Sequence, residues 1–187
     1  IKINKDRVFL SNNKNFKNNN LIEYFKDINL NSIKKLIHNI DSKIKFGKNI
    51  AIKELKYRNQ LIYVSNNLKI YNDSKCTNLN NAIYKNNLLN SSKKILILGG
   101  IIKKQDKNLK FKIKNTLVLI FGYQSNLFIK QLEFIDSNYF KFDNLIELIK
   151  FLKLIINFKK YEYILFSPGG ESFDSYKNYL DRGSHFN

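Results

Sequence analysis

The chain has 187 residues and a mass of 22.2 kDa, enough for one domain with a real core or for one domain and part of another. Its 33 Lys+Arg outnumber 15 Asp+Glu to give a net charge of +18, but only Arg7, Arg58 and Arg182 are arginines, and the lysines are spread along the chain among asparagines and isoleucines. That pattern argues against a dedicated nucleic-acid reader, which relies on arginine forks for phosphate and guanine, and it leaves a positive field suited to anionic small molecules.

The chain opens with strand-like alternation at Arg7-Val8-Phe9-Leu10. The following Leu10-Ser11-Asn12-Asn13-Lys14-Asn15-Phe16-Lys17-Asn18 is an asparagine cluster of the kind that forms a loop and starts a helix, here predicted over residues 18–26. Ile33, Leu36, Ile37 and Ile40 recur at helical spacing behind Asn31 or Ser32, which predicts a helix with an apolar stripe facing a core and His38 at the surface. After Leu55-Lys56-Tyr57-Arg58-Asn59-Gln60-Leu61, the runs Ile62-Tyr63-Val64 and Leu68-Lys69-Ile70-Tyr71 flank Asn66-Asn67 and read as a hairpin.

Asn72-Asp73-Ser74-Lys75-Cys76-Thr77-Asn78 then follows a strand end and precedes a helix expected over residues 79–89. Cap hydroxyls, helix N-terminal N–H groups and a lysine meet there, as an anion site requires; a plain N-cap at Asn78 or Thr77 would use the same residues. Ile95-Leu96-Ile97-Leu98 runs into Gly99-Gly100, where a backbone can turn sharply and admit a ligand, with Lys103 just beyond. A third buried strand is expected over residues 117–121, a short helix and a strand within 125–142, and an apolar helix over 145–157 opened by Asp143 or Asn144 with Glu147 in a capping role.

The last apolar run, residues 161–166, leads into Ser167-Pro168-Gly169-Gly170-Glu171-Ser172-Phe173-Asp174-Ser175-Tyr176-Lys177-Asn178-Tyr179, closed by Asp181-Arg182-Gly183. Small hydroxyl and charged residues after a strand have the look of a ligand-binding turn, or of a strand-to-helix turn capped by Asp174. Strands alternating with helices from Leu68 onward predict a largely parallel α/β sheet. The loops at Asp73, Lys103 and Ser172 each follow a strand end and are expected on one sheet edge.

Residues 72–78 resemble Asn-Asp-Ser-Lys-Ala-Thr-Asn of the Mur ligases that add D-glutamate, with Cys76 in place of alanine. The closing stretch is similar to their Ser-Pro-Ala-x-Ala-Ser-Phe-Asp-x-Phe-Lys-Asn-x-x-x-Arg-Gly, with Glu171 among its departures. Gly99-Gly100 with Lys103 resembles Leu-Gly-Gly-x-x-Lys, Arg58 matches the arginine of Leu-Pro-His-Arg-x-Glu, and residues 12–18 resemble Gly-x-His-Asn-x-x-Asn. Asn12, Lys14, Tyr57, Gln60 and Ile102 depart from these patterns. The resemblance covers essentially the whole chain. It implies a Rossmann-like C-terminal Mur ligase domain with a mostly parallel sheet at residues 67–187, preceded at 1–66 by the tail of the central ATPase domain.

In that family ATP phosphorylates the carboxylate of UDP-N-acetylmuramoyl-L-alanine, and the amine of D-glutamate attacks the acyl phosphate, an ADP-forming step of peptidoglycan synthesis. The resemblance assigns Lys75 and Lys103 to catalysis, and Thr77, Lys103, Ser172, Phe173 and Tyr179 to D-glutamate. It assigns Asn15, Asn18, Arg58, Asp73 and Lys75 to the nucleotide, with Asp73 on the ribose and Lys75 near the phosphates.

No phosphate loop of the Walker type occurs in these residues, so Mg²⁺ ligands and the missing N-terminal and central domains are expected outside them. The chain starts at Ile1 and lacks methionine, and is accordingly expected to be part of a longer protein. With one cysteine, Cys76, and two histidines, neither an internal disulfide nor a structural zinc site can form. No apolar run is long enough to span a bilayer and no signal peptide is visible, so a cytoplasmic setting is expected. Two other classes stay open: a non-catalytic module for acidic ligands or nucleotides, and a basic nucleic-acid-binding protein. A folylpolyglutamate-type ligase would leave residues 72–78 unexplained.

Overall fold

The computed structural model describes residues 2–4, 7–9, 32–33, 35–36, 38–39, 55–65, 67–106, 108–158 and 161–187. Contacts divide the chain into two compact units, Ile1–Glu54 and Leu55–Asn187, a division earlier in the chain than the domain boundary expected at residue 66. In the first unit Lys2–Asn4 (β1) pairs antiparallel with Arg7–Phe9 (β2), Ile3 opposite Val8. Ser32, Ile33, Lys35, Leu36, His38 and Asn39 are helical, as their spacing predicts. Ile33 and Leu36 are nevertheless 49% and 50% exposed, which corrects the expected core stripe at these two positions. Periodicity reports which side chains share a helix face, not what covers it. The helix expected over 18–26, together with Asn15 and Asn18, lies outside the described residues.

The second unit is built on a six-stranded sheet. In chain order come Gln60–Val64 (β3), Lys69–Asn72 (β4), the helix Leu79–Leu88 (α1), Lys94–Gly99 (β5), Phe111–Lys114 (β6), Leu117–Phe121 (β7), the helix Ser125–Gln131 (α2), Leu132–Ile135 (β8), Asn138–Phe142 (β9), the helix Leu145–Phe158 (α3), Tyr163–Gly169 (β10) and the helix Tyr179–Phe186 (α4). The sheet order is β3-β4-β10-β5-β7-β9. All neighbours are parallel except β3, which forms the expected hairpin with β4, its turn closed by the Ser65 N–H on the Leu68 carbonyl at 2.9 Å. β6 and β8 form a separate parallel pair. Neither was expected as such: the two are only four residues long, although each ends at a left-handed turn residue, Asn115 and Asp136.

Every residue of β5 and β10 is buried, because a parallel strand covered on both faces has no solvent side to alternate towards. One face of the sheet, with Ile95, Ile97, Leu119, Phe121, Ile164 and Phe166, packs against Leu145, Leu148 and Leu152 of α3 and Phe186 of α4. On β10 the approach of α1 is so close that a Cβ on Gly169, at φ +70°, would lie 3.2 Å from the Leu79 Cα. α3 starts as its sequence suggests: the Glu147 N–H donates to Asn144 Oδ1 at 3.0 Å and the Asp143 N–H to Glu147 Oε2 at 3.3 Å, a reciprocal cap.

The turn after β10 does not lead straight into a helix capped by Asp174. α4 begins only at Tyr179, where Asn178 Oδ1 accepts from the N–H groups of Leu180 and Asp181. Residues 170–178 are therefore free to form a loop over the sheet edge. Among the described residues, no helix is long and apolar enough to cross a membrane.

Candidate functional site

Since β4, β10 and β5 are parallel neighbours, the loops that follow them leave the same edge of the sheet. These are the loops of Asp73, Ser172 and Lys103. Pro168 cannot donate to the ladder, and the β10–β5 register shifts between Phe166 and Gly169. At that break the Ser167 hydroxyl turns to Asp73.

Asp73 is fully buried and engaged from three sides. Its Oδ1 accepts the Asn59 N–H at 3.0 Å; its Oδ2 accepts Lys85 Nζ at 2.5 Å and the Ser167 hydroxyl at 2.9 Å. A ribose contact would have to share these oxygens. What Asp73 does in the fold is staple the segment before β3 to the loop after β4, helped by the Lys75 N–H on the Tyr57 carbonyl at 2.9 Å. Tyr57 and Asn59 are buried in left-handed conformations, φ 55° and 50°, and exposed Arg58 sits between them. Lys75, also exposed, places its ammonium 4.1 Å over the ring of Tyr179. Arg58 and Asp73, Lys75 and Tyr179 thus lie on loops stapled to one another, with the cationic side chains of Arg58 and Lys75 exposed. No group of three or more His, Cys, Asp and Glu lies together among the described residues.

Lys103 lies on the neighbouring loop. The Ile101 N–H donates to the Glu171 carbonyl at 2.9 Å and the Glu171 N–H to the Ile101 carbonyl at 2.8 Å, so this loop and the one after β10 are backbone-paired. Gly100, at φ +92°, is required there: a Cβ would stand 2.2 Å from the Glu171 carbonyl oxygen and 2.7 Å from Arg182 Nη1. Ser172 is buried, its carbonyl accepting from the N–H groups of Ser175 and Tyr176, while Phe173 is 68% exposed. Thr77 is half-buried just ahead of α1. Asp106 joins it to Lys103: its carboxylate accepts from Asn78 Nδ2 at 3.1 Å and the Leu79 N–H at 3.3 Å, and its own N–H donates to the Lys103 carbonyl at 2.9 Å.

Arg182, fully buried in α4, ties both clusters together. Its Nε donates to Ser74 Oγ at 3.2 Å, Nη2 to the Ser74 carbonyl at 2.9 Å and Nη1 to the Gly170 carbonyl at 3.0 Å. Burial lowers its pKa to about 10, opposed by Asp174. The Asp174 carboxyl is pushed up by burial, opposed by Arg182, and neither of its oxygens has a hydrogen-bond partner. Cys76, buried, has its thiol pushed up by burial and by Asp73, which leaves it a packing residue rather than a thiolate. A separate concavity of about 810 Å³ opens at the opposite edge of the sheet, beside Lys93, Lys94, Lys114 and Glu162, away from all these loops.

No protein-family model matches the chain. It is 35% identical over 189 residues to the UDP-N-acetylmuramoylalanine–D-glutamate ligase of Petrotoga mobilis, an alignment covering 98% of this chain and 42% of the relative. Along nearly its whole length the chain is similar to this ligase family. The enzyme of that name from Pseudothermotoga lettingae is 33% identical over 178 residues, 91% of this chain and 40% of the relative. One from Prochlorococcus marinus is 36% identical over 141 residues, 72% of this chain and 30% of the relative. The chain therefore spans less than half the length of these ligases.

The strand ends placed the loops of Asp73, Lys103 and Ser172 on this edge, but the sequence did not show the residues that hold them. Lys85, Asn59, Ser167 and Asp106 all act through contacts distant in sequence. Asp106 alone carried a signal, as the only acid between Asp73 and Glu133 in a lysine-rich stretch.

Proposed function

We propose that these residues supply the amino-acid side of an ATP-dependent ligase of peptidoglycan synthesis that joins D-glutamate to UDP-N-acetylmuramoyl-L-alanine. In this reading residues 67–187 form the C-terminal domain and residues 1–66 the end of the ATPase domain, with the phosphate loop and Mg²⁺ ligands upstream. ATP supplies the phosphoryl group that activates the acceptor carboxylate. The D-glutamate nitrogen forms the C–N bond as the acyl C–O bond breaks; phosphate leaves and the amine proton passes to solvent.

The observation that carries this reading is the joining of two chemically different clusters on one edge through Arg182 and Asp106. On one side Lys75 and Arg58 offer charge to nucleotide phosphates, next to the Asp73 staple. On the other, Lys103 offers a point charge for a substrate carboxylate, with Thr77 and the Ser172–Phe173 turn as further contacts. Catalysis of this kind is positioning plus charge stabilisation, and rigid loops serve it. Among the described residues no base is hydrogen-bonded to the Ser172 hydroxyl, so it serves as a hydrogen-bonding group, not a nucleophile.

The test is phosphate release by the protein with its upstream domains, supplied with ATP, Mg²⁺ and UDP-N-acetylmuramoyl-L-alanine. Release that requires D-glutamate and collapses in Lys103→Ala supports the ligase. Stable protein that binds ATP but shows no D-glutamate dependence favours a non-catalytic binding module instead.

A further inference from the structure

The Lys103 ammonium and the Glu171 carboxylate lie 4.0 Å apart, with side chains 34% and 40% exposed. Their proximity is imposed by the backbone. The reciprocal Ile101–Glu171 hydrogen bonds fix Glu171 two residues from Lys103, Gly100 admits that approach by lacking a Cβ, and the Ile102 N–H is held by Gln124 Oε1 at 2.9 Å. Of the other acids on this edge, Asp106 is committed to the start of α1 and Asp73 to Lys85, while the Asp174 carboxylate on the same loop is buried without a hydrogen-bond partner. Among the described residues, Glu171 is the carboxylate within ion-pair distance of Lys103.

We propose that Glu171 is a specificity-determining residue: it acts as an internal counter-ion to Lys103 and competes with the carboxylate of the incoming amino acid. The inference rests on the reading of Lys103 as a substrate contact. An anionic substrate arriving at Lys103 meets an ammonium already partly neutralised, with a like charge fixed beside it. Either the two carboxylates share the ammonium at the cost of mutual repulsion, or the Glu171 side chain swings out to solvent, which its exposure allows. Both routes weaken binding of the acidic substrate before any bond is made, and neither changes the reacting geometry. The consequence belongs to KM rather than kcat. Ion pairs this exposed shift equilibria only a few-fold, so Glu171 tunes affinity without closing the site.

The test is the KM for D-glutamate in the phosphate-release assay, at low and high salt, for wild type, Glu171→Gln and Glu171→Ala. Glutamine keeps the shape and the backbone pairing with Ile101, so it separates charge from structure. KM is expected to fall about two- to fivefold in both variants at low salt. kcat is expected to change by less than about twofold, and the KM difference to shrink at high salt. An unchanged or raised KM in Glu171→Gln, with the wild type still dependent on D-glutamate, overturns the Glu171 assignment and leaves the ligase reading standing. A wild type without D-glutamate dependence overturns both.

Discussion

The Lys75 ammonium stands 4.1 Å over the ring of Tyr179, so the loop after β4 and the first residue of α4 share a cation–π contact. The two residues are far apart in sequence, and the Ser74 hydroxyl reinforces the contact by donating to the Tyr179 carbonyl at 2.8 Å. Tyr179 holds in place a lysine that would otherwise sample many rotamers.

Replacing Tyr179 by leucine should therefore lower stability by about 0.5–1 kcal/mol beyond the packing change, whereas phenylalanine, which keeps the ring, should cost less. Urea unfolding measures this. The resemblance gives Tyr179 to D-glutamate, but its ring holds Lys75, so in the protein with its upstream domains Tyr179→Leu should raise the KM for ATP at least as much as that for D-glutamate.

Arg182→Met removes the donors of a fully buried guanidinium and leaves the Ser74 and Gly170 carbonyls without their partners. Each unpaired buried carbonyl costs about 1–3 kcal/mol, so the variant should lose roughly 2–6 kcal/mol, read as a lowered urea midpoint with an unchanged slope. Arg182→Lys keeps the charge but not the fork, and should fall between the two.

Asp106→Ala leaves Asn78 Nδ2 and the Leu79 N–H unpaired at the start of α1 and removes a negative charge from a helix N-terminus. The expected loss is about 1–3 kcal/mol. Because Asp106 also holds the Lys103 loop, the KM for D-glutamate should rise, and amide exchange over residues 101–106 should accelerate.

Lys94 is 4% exposed, its Nζ donating to the carbonyls of Asn86 at 3.0 Å and Leu89 at 2.8 Å at the end of α1. Burial lowers its pKa to about 8 from 10.5. Between those values the unfolded chain binds more protons than the folded one, so the Lys94 contribution is fully present above 10.5 and is lost as pH falls through about 8. Stability curves of wild type and Lys94→Met should diverge with rising pH across that window, and selective NMR of lysine ε-carbons should show one resonance titrating near the lower value.

The six-stranded sheet was readable because parallel, doubly covered strands appear as solid apolar runs such as Ile95 to Leu98, and because α1 and α3 carry caps in the sequence at Asn78 and Asn144. The position of the loops followed from the strand ends. What could not be read was the wiring between loops. Asp73 finds Lys85 one helix later and Ser167 on another strand, and Arg182 reaches back to Ser74; such pairs have no local spacing to betray them. The exposed Ile33 and Leu36 show the same limit from the other side, since a helical stripe does not say what it faces.

The most direct test of the central claim is a structure of the protein with its upstream domains bound to ADP and UDP-N-acetylmuramoyl-L-alanyl-D-glutamate. A glutamyl carboxylate is expected in contact with Lys103, the Ser172–Phe173 turn beside the glutamyl group, and the nucleotide against Lys75 and Arg58. A glutamyl group bound away from Lys103 and Ser172, with the product otherwise ordered, would contradict it.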